Sequence, residues 1–143
     1  MEIKVTYHSD KVKRLERIKQ GDWIDLAAAK DYYIKRGDFA LIDFGITIKV
    51  RKDYETWIVP RSSTFKKYGL IQTNGIGIID SSYCGENDIV KMPVYATRDC
   101  YVKQGERIAQ FRVIKSMGDI DIKERAVIDI TEESRGGFGS TGR

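Results

Sequence analysis

Ile46-Thr47-Ile48-Lys49-Val50-Arg51 (ITIKVR, residues 46–51) alternates an apolar with a polar or charged side chain at every step. Successive side chains of a strand point to opposite faces of a sheet, so this is the pattern of a strand with one buried face. A helix would instead repeat its apolar residues every three or four positions. The same period of two recurs outward in both directions. Ile3, Val5 and Tyr7 alternate with Glu2, Lys4 and Thr6; Val90, Met92, Val94 and Ala96 share one face, as do Ala109, Phe111 and Val113. Turn signals separate the runs at Gly21-Asp22, Arg36-Gly37-Asp38, Thr73-Asn74-Gly75 and Gln104-Gly105. Many short strands punctuated in this way predict an all-β sandwich or barrel.

Two segments depart from the pattern. Pro60 biases Val59 towards extended structure, so a strand over Glu55–Val59 is expected to end there. Residues 62–68 (SSTFKKY) then read as one short helix with serine available as its cap. A weak helix or a turn is expected within Val12–Ile18.

The chain has 143 residues, of which 41% are hydrophobic and 32% charged, the balance of a single globular domain and not of a disordered chain. Lys+Arg number 25 against 21 Asp+Glu, a net +4 that suits a small anionic ligand and is too slight for a nucleic-acid binder. The basic run Lys11–Lys19 reads as a solvated face. No apolar run approaches the ~20 residues of a membrane span. The N-terminus MEIKVTYHSD lacks the apolar region of a secretory signal, so a cytoplasmic location is expected. Cys84 and Cys100 are expected to be free thiols.

Several chemistries are excluded. No Gly-Lys pair exists to build a Walker A loop, and an all-β pattern does not supply the strand-to-helix glycine turn of a dinucleotide fingerprint. His8, in or beside the first strand, is the single histidine, which argues against a catalytic triad or a histidine-rich metal site. Carboxylates remain for acid–base work. Asp80 ends the apolar run Ile76–Ile79 and is followed by SSYCGE, which places it where a strand enters a turn. The final ten residues, 134–143, hold four glycines and one large apolar side chain, Phe138. Such a tail cannot fold alone. A frayed terminus is one reading. The other is a phosphate cradle, since glycines let backbone N–H groups approach phosphate oxygens, Arg135 offers a charged fork and Phe138 can cover a base.

Read together, five segments resemble the motifs of the trimeric dUTP pyrophosphatases (dUTPases), in order over residues 21–142: GDWIDL at 21–26, PRSS at 60–63, GIIDSSYCGE at 77–86, GERIAQ at 105–110 and RGGFGSTG at 135–142. The pairing of PRSSTFKKYGLIQTN with GIIDSSYCGE is most similar to the Gram-positive bacterial and phage branch. The resemblance implies a distorted jelly-roll β-barrel over residues 1–133 and a flexible glycine-rich lid over 134–143. It also implies a homotrimer whose three sites lie between subunits, each closed by another chain's tail. The reaction would be attack of water on the α-phosphorus of dUTP, giving dUMP and pyrophosphate with Mg²⁺ present, which limits uracil in DNA and supplies dUMP. A phage member would add a regulatory protein partner.

The resemblance also assigns roles. Asp80 would deprotonate the attacking water, and Tyr83 would lie against the deoxyribose and crowd out a 2′-hydroxyl. Asn74 and the hairpin backbone up to Ile79 would bind uracil; Asn74-Gly75 is also good chemistry for an ordinary hairpin turn. Arg61, Ser62, Ser63 and Gln110 would hold phosphates, and Asp25 would hold magnesium through its waters. Phe138 would stack on the uracil, with Arg135, Gly139, Ser140 and Thr141 closing over the phosphates.

The chain departs from the family pattern in four places. Ala-Gly-Tyr is missing before Asp25-Leu26, Ser63 stands where glycine is common, and Cys84 replaces a longer polar residue. In the fifth motif Arg135 directly precedes Gly136-Gly137. A dCTP deaminase and a non-catalytic nucleotide sensor are the alternative readings on the same scaffold.

Overall fold

The computed structural model describes residues 1–139 and 142. Eleven strands are formed among the described residues: β1 (Lys4–Tyr7), β2 (Ile24–Ala27), β3 (Tyr32–Ile34), β4 (Phe39–Asp43), β5 (Ile46–Lys49), β6 (Tyr54–Pro60), β7 (Leu70–Gln72), β8 (Gly77–Ile79), β9 (Lys91–Ala96), β10 (Cys100–Val102) and β11 (Arg107–Lys115). One helix, α1 (Thr64–Tyr68), interrupts them. All pairings are antiparallel. They form a four-stranded sheet in the order β2-β11-β6-β8, a three-stranded sheet β4-β9-β7, and two ribbons, β1-β5 and β10-β3. The all-β expectation with one short helix holds.

Alternation decides which face is buried. Met92, Val94 and Ala96 of β9 and Ala109 and Phe111 of β11 enter one core with Ile46, Ile48 and Val50, beside Phe44, Leu26 and Ile42. Thr47 is an exception: the alternation sends it to solvent, but it is buried. Burial is tolerated because its hydroxyl donates to the Asp88 carbonyl (3.0 Å) and accepts from His8 Nε2 (2.8 Å). His8 lies just beyond β1 and has this structural role.

Four local expectations need correction. The strand expected to end at Val59 includes Pro60, which faces Ala109 and, as the last residue, forfeits little by lacking an N–H. The helix starts at Thr64 and not Ser62. Ser63 holds the N-cap position in helical geometry (φ −89°, ψ −10°), so its side chain makes no capping bond. The Thr64 hydroxyl bonds instead to the loop before the helix, as described below. Val12–Ile18 contains no helix; a turn closes before it, with the Val12 N–H donating to the Ser9 carbonyl (3.2 Å). Finally, Asn74-Gly75 does not join a two-stranded hairpin. The strands on either side pair elsewhere, β7 with β9 and β8 with β6, so the turn carries the chain from one sheet to another.

Gly69 ends α1 at φ 68°, a left-handed conformation that suits glycine, and its N–H donates to the Phe65 carbonyl (2.7 Å). Beyond Lys115 the only regular element among the described residues is a 3₁₀ turn at Val127–Asp129. No described helix is long and apolar enough to cross a membrane. Both cysteines are free, and burial raises the pKa of the Cys100 thiol.

Candidate active site

β6 is the spine of the site. At its C-terminal end, Val59 faces Gln110 of β11, and Gln110 faces Asp25 of β2, so three strands present these residues in one row. Arg61 follows immediately, and its Nε lies 2.8 Å from Asp25 Oδ1. The other oxygen, Asp25 Oδ2, receives Arg107 Nη1 at 3.0 Å. Gln110 Nε2 donates to the Pro60 carbonyl (3.2 Å). The first, second and fourth motifs thus meet at one end of the sheet, tied by a carboxylate between two guanidinium groups.

A bulge in β11 fixes this end. Arg107 faces Ala27 and Ala109 faces Leu26, so Ile108 is the extra residue. Its side chain is fully buried, and its carbonyl accepts from the Thr64 hydroxyl (2.6 Å) and the Arg61 N–H (3.4 Å). Thr64 Oγ1 in turn accepts from the Arg61 N–H at 3.0 Å. The second-motif loop is therefore held on both sides, while Ser62 and Ser63 are exposed. Glu106 steadies the neighbouring turn, accepting from Tyr68 Oη (2.9 Å) and the Lys103 N–H (3.0 Å). Partial burial works against its charge, but Lys103, Tyr68 and Lys67 outweigh that and lower its pKa.

The third motif lies at the other end of β6. Ile79 faces Thr56, and Asp80 comes one step further along. The turn from Asp80 is closed by the Tyr83 N–H donating to the Asp80 carbonyl (3.0 Å). Asp80 and Tyr83 line an open recess with Ile78, Ile79, Ile89 and Lys91. Both are exposed, and Tyr83 Oη reaches the Ile89 carbonyl at 3.4 Å. The step from Glu55 to Val59 is about 13 Å of extended chain, so this recess and the Asp25–Arg61 cluster are separate places on one subunit.

Asn74 belongs with the third motif, in the turn leading into β8, and is exposed. Arg135, Phe138 and Gly139 lie in the exposed tail and join neither group. Ser140 and Thr141 fall outside the described residues. Sequence reasoning missed Arg107, Thr64 and Lys91 as parts of these two places. Arg107 and Thr64 stand inside the quoted strings GERIAQ and PRSSTFKKYGLIQTN, so they were within reach; Lys91 gave no signal.

No group of three or more His, Cys, Asp or Glu side chains able to hold a metal exists among the described residues. Asp25 offers one carboxylate with both oxygens already facing arginines. That donor set cannot cage a bare ion. It fits magnesium, which keeps several waters and is commonly bound through one carboxylate and substrate phosphates.

All five motifs lie within residues 12–142, which match a family model, dUTPase. The chain belongs to the dUTPase family. Over 142 residues it is 46% identical to the SPbeta prophage-derived deoxyuridine 5′-triphosphate nucleotidohydrolase YosS of Bacillus subtilis, covering 99% of both chains. It is 36% identical over 120 residues to the deoxyuridine 5′-triphosphate nucleotidohydrolase of Clostridium tetani, covering 84% of this chain and 81% of that one. In fold it matches a mutant Staphylococcus bacteriophage 80alpha dUTPase with dUpNHpp, at TM-score 0.82, 18% identity and 99% coverage of both chains. Phage dUTPases of that kind control transfer of virulence genes by a proto-oncogenic G protein-like mechanism. A mutant dUTPase from phage phi11 of S. aureus, at TM-score 0.77 and 15% identity over 89% of this chain and 99% of that one, coordinates a structural Mg(II) ion. Members of the dUTPase family use magnesium.

Proposed function

We propose that this dUTP nucleotidohydrolase works as a homotrimer in which the two ends of β6 from different subunits face each other across one substrate. The observation that supports this is their separation within one chain. Asp80 and Tyr83 stand at one end, and Asp25, Arg61, Gln110 and Arg107 at the other.

In this reading Asp80 takes a proton from water as the water oxygen bonds to the α-phosphorus of dUTP. The bond from that phosphorus to the α–β bridging oxygen breaks, and pyrophosphate leaves with the bonding electrons. The ionised carboxylate is the base. Tyr83 packs against the deoxyribose. An apolar contact rejects an added hydroxyl by only about a hundredfold, so discrimination against UTP is useful but incomplete. Asn74 and the backbone through Ile79 bind the uracil.

Arg61, Ser62, Ser63 and Gln110 hold the phosphates. The Ile108 carbonyl and Thr64 keep the Arg61 loop in place before substrate arrives, which reduces the ordering cost of binding. Asp25 would hold magnesium through its waters, and the ion would supply neutralisation of phosphate charge. The tail, residues 134–143, closes over the site as a lid, with Phe138 on the uracil and Arg135, Gly139 and Ser140 at the phosphates. Its closure excludes water from the reacting centre.

Co-assembly of two inactive variants tests the shared site. Asp80→Asn and Arg61→Ala chains, each with little dUTP hydrolysis alone, are unfolded together, refolded and assayed with Mg²⁺. Mixed trimers should recover a substantial share of wild-type activity, because some sites then draw Asp80 from an Arg61→Ala chain and Arg61 from an Asp80→Asn chain. Recovery no greater than the sum of the separate variants would mean that both residues serve one site from the same chain.

A further inference from the structure

Gln72 is buried at the end of β7, directly under the turn that carries Asn74. Its Nε2 makes two bonds, donating to the Ile58 carbonyl at 3.1 Å and to Asn74 Oδ1 at 2.9 Å. Its Oε1 is buried and has no hydrogen-bond partner. A buried acceptor without a partner is unfavourable and offsets part of what the two donated bonds contribute. The net contribution is therefore small, and stability alone does not account for a glutamine here.

Orientation does. The Ile58 carbonyl can only accept, so it must face the amino group of the Gln72 amide. Turning that amide over would set its oxygen against both the Ile58 carbonyl and Asn74 Oδ1. With Gln72 fixed, Asn74 must present its oxygen to Gln72 and its own amino group to the other side. Gly77 keeps the space free: a Cβ there would stand 3.3 Å from both Gln72 Nε2 and Ile58 Cβ.

We infer that Gln72 is a positioning residue for base selection: it locks the Asn74 amide with its N–H donors aimed at the base. The inference rests on the reading that Asn74 contacts the pyrimidine. A donor fits the C4 carbonyl of uracil, which accepts. It opposes the C4 amino group of cytosine, which donates. Gln72 thus turns an exposed asparagine, whose amide could otherwise present either end, into a group that prefers dUTP over dCTP.

The test is steady-state kinetics with dUTP and dCTP on the full-length wild type, Gln72→Met, Asn74→Ala, the double variant and Asn74→Asp, with melting temperatures for each. Gln72→Met should lower the ratio of kcat/KM for dUTP to that for dCTP by roughly tenfold, the size expected for loss of one hydrogen bond. The change should lie mainly in the KM for dUTP, with kcat nearly kept and the melting temperature only slightly lowered, since the Ile58 carbonyl loses one donor. In the Asn74→Ala background the same substitution should change the ratio no further. Asn74→Asp, at an exposed position, should shift preference towards dCTP, because Gln72 would hold one carboxylate oxygen and aim the other, an acceptor, at the base. An unchanged ratio in Asn74→Asp, or equal effects of Gln72→Met in both backgrounds, would overturn the inference. An unchanged ratio in Asn74→Ala would instead overturn the parent reading, that Asn74 contacts the pyrimidine.

Discussion

The two ends of β6 are built on opposite principles. At the Pro60 end the functional groups are tied to one another before any ligand arrives: Asp25 lies between Arg61 and Arg107, and a bulged carbonyl holds the loop beneath. At the Tyr54 end Asp80 and Tyr83 line a recess open to solvent. Phosphate binding demands several charges held at fixed spacing, and their mutual repulsion must be balanced by a carboxylate. A general base demands the reverse, a single carboxylate free to receive a proton. Under the proposed shared site, the difference teaches that one subunit prepares two unlike half-sites, each suited to its own chemistry.

The sharpest way to break this comparison is at the open end. Asp80→Asn should lower kcat for dUTP by roughly 1,000-fold, the scale of losing a general base, with the melting temperature unchanged. A large fall in stability would mean that Asp80 also belongs to a structural network. At the tied end the effect should divide between stability and rate. Asp25→Asn leaves two guanidinium groups without their shared carboxylate, and the partial exposure of Arg107 limits the cost to about 1 kcal/mol in urea unfolding, with weaker dUTP binding. No stability change would show that the two ion pairs are merely surface contacts.

The smallest expected effect concerns pH. The lowered pKa of Glu106 means that its carboxylate contributes stability above the unfolded-state value. That contribution is lost as pH falls through the lower folded-state value. Wild type should therefore lose melting temperature in this acid window faster than Glu106→Gln, while the variant melts lower at neutral pH. Parallel curves would remove Glu106 from the account of this end.

Much of the fold was legible because alternation is a local property. The runs 46–51 and 90–96 name their buried faces without reference to the rest of the chain. Thr47 was misread because its partners, His8 and Asp88, are about forty residues away on either side. Asn74-Gly75 has good hairpin chemistry, but pairing is decided by β6 and β9, which no two-residue signal encodes. Of the candidate site, the placement of Asp80 where a strand enters a turn was readable from the apolar run before it. The Asp25–Arg61–Arg107 cluster was not, since it arises only when β2, β6 and β11 lie side by side.

The bulge at Ile108 has a consequence for which changes of length the chain can tolerate. β11 keeps continuous register with β6 from Ala109 to Lys115, and absorbs its mismatch with β2 at one residue. Deleting or inserting a single residue after 108 would turn Phe111 out of the core and Gln110 into it, because side-chain direction has a period of two. The loops before Trp23 and after Lys115 carry no such constraint. Length variation compatible with folding should therefore collect in those loops and avoid the strand that joins the two halves of the sheet.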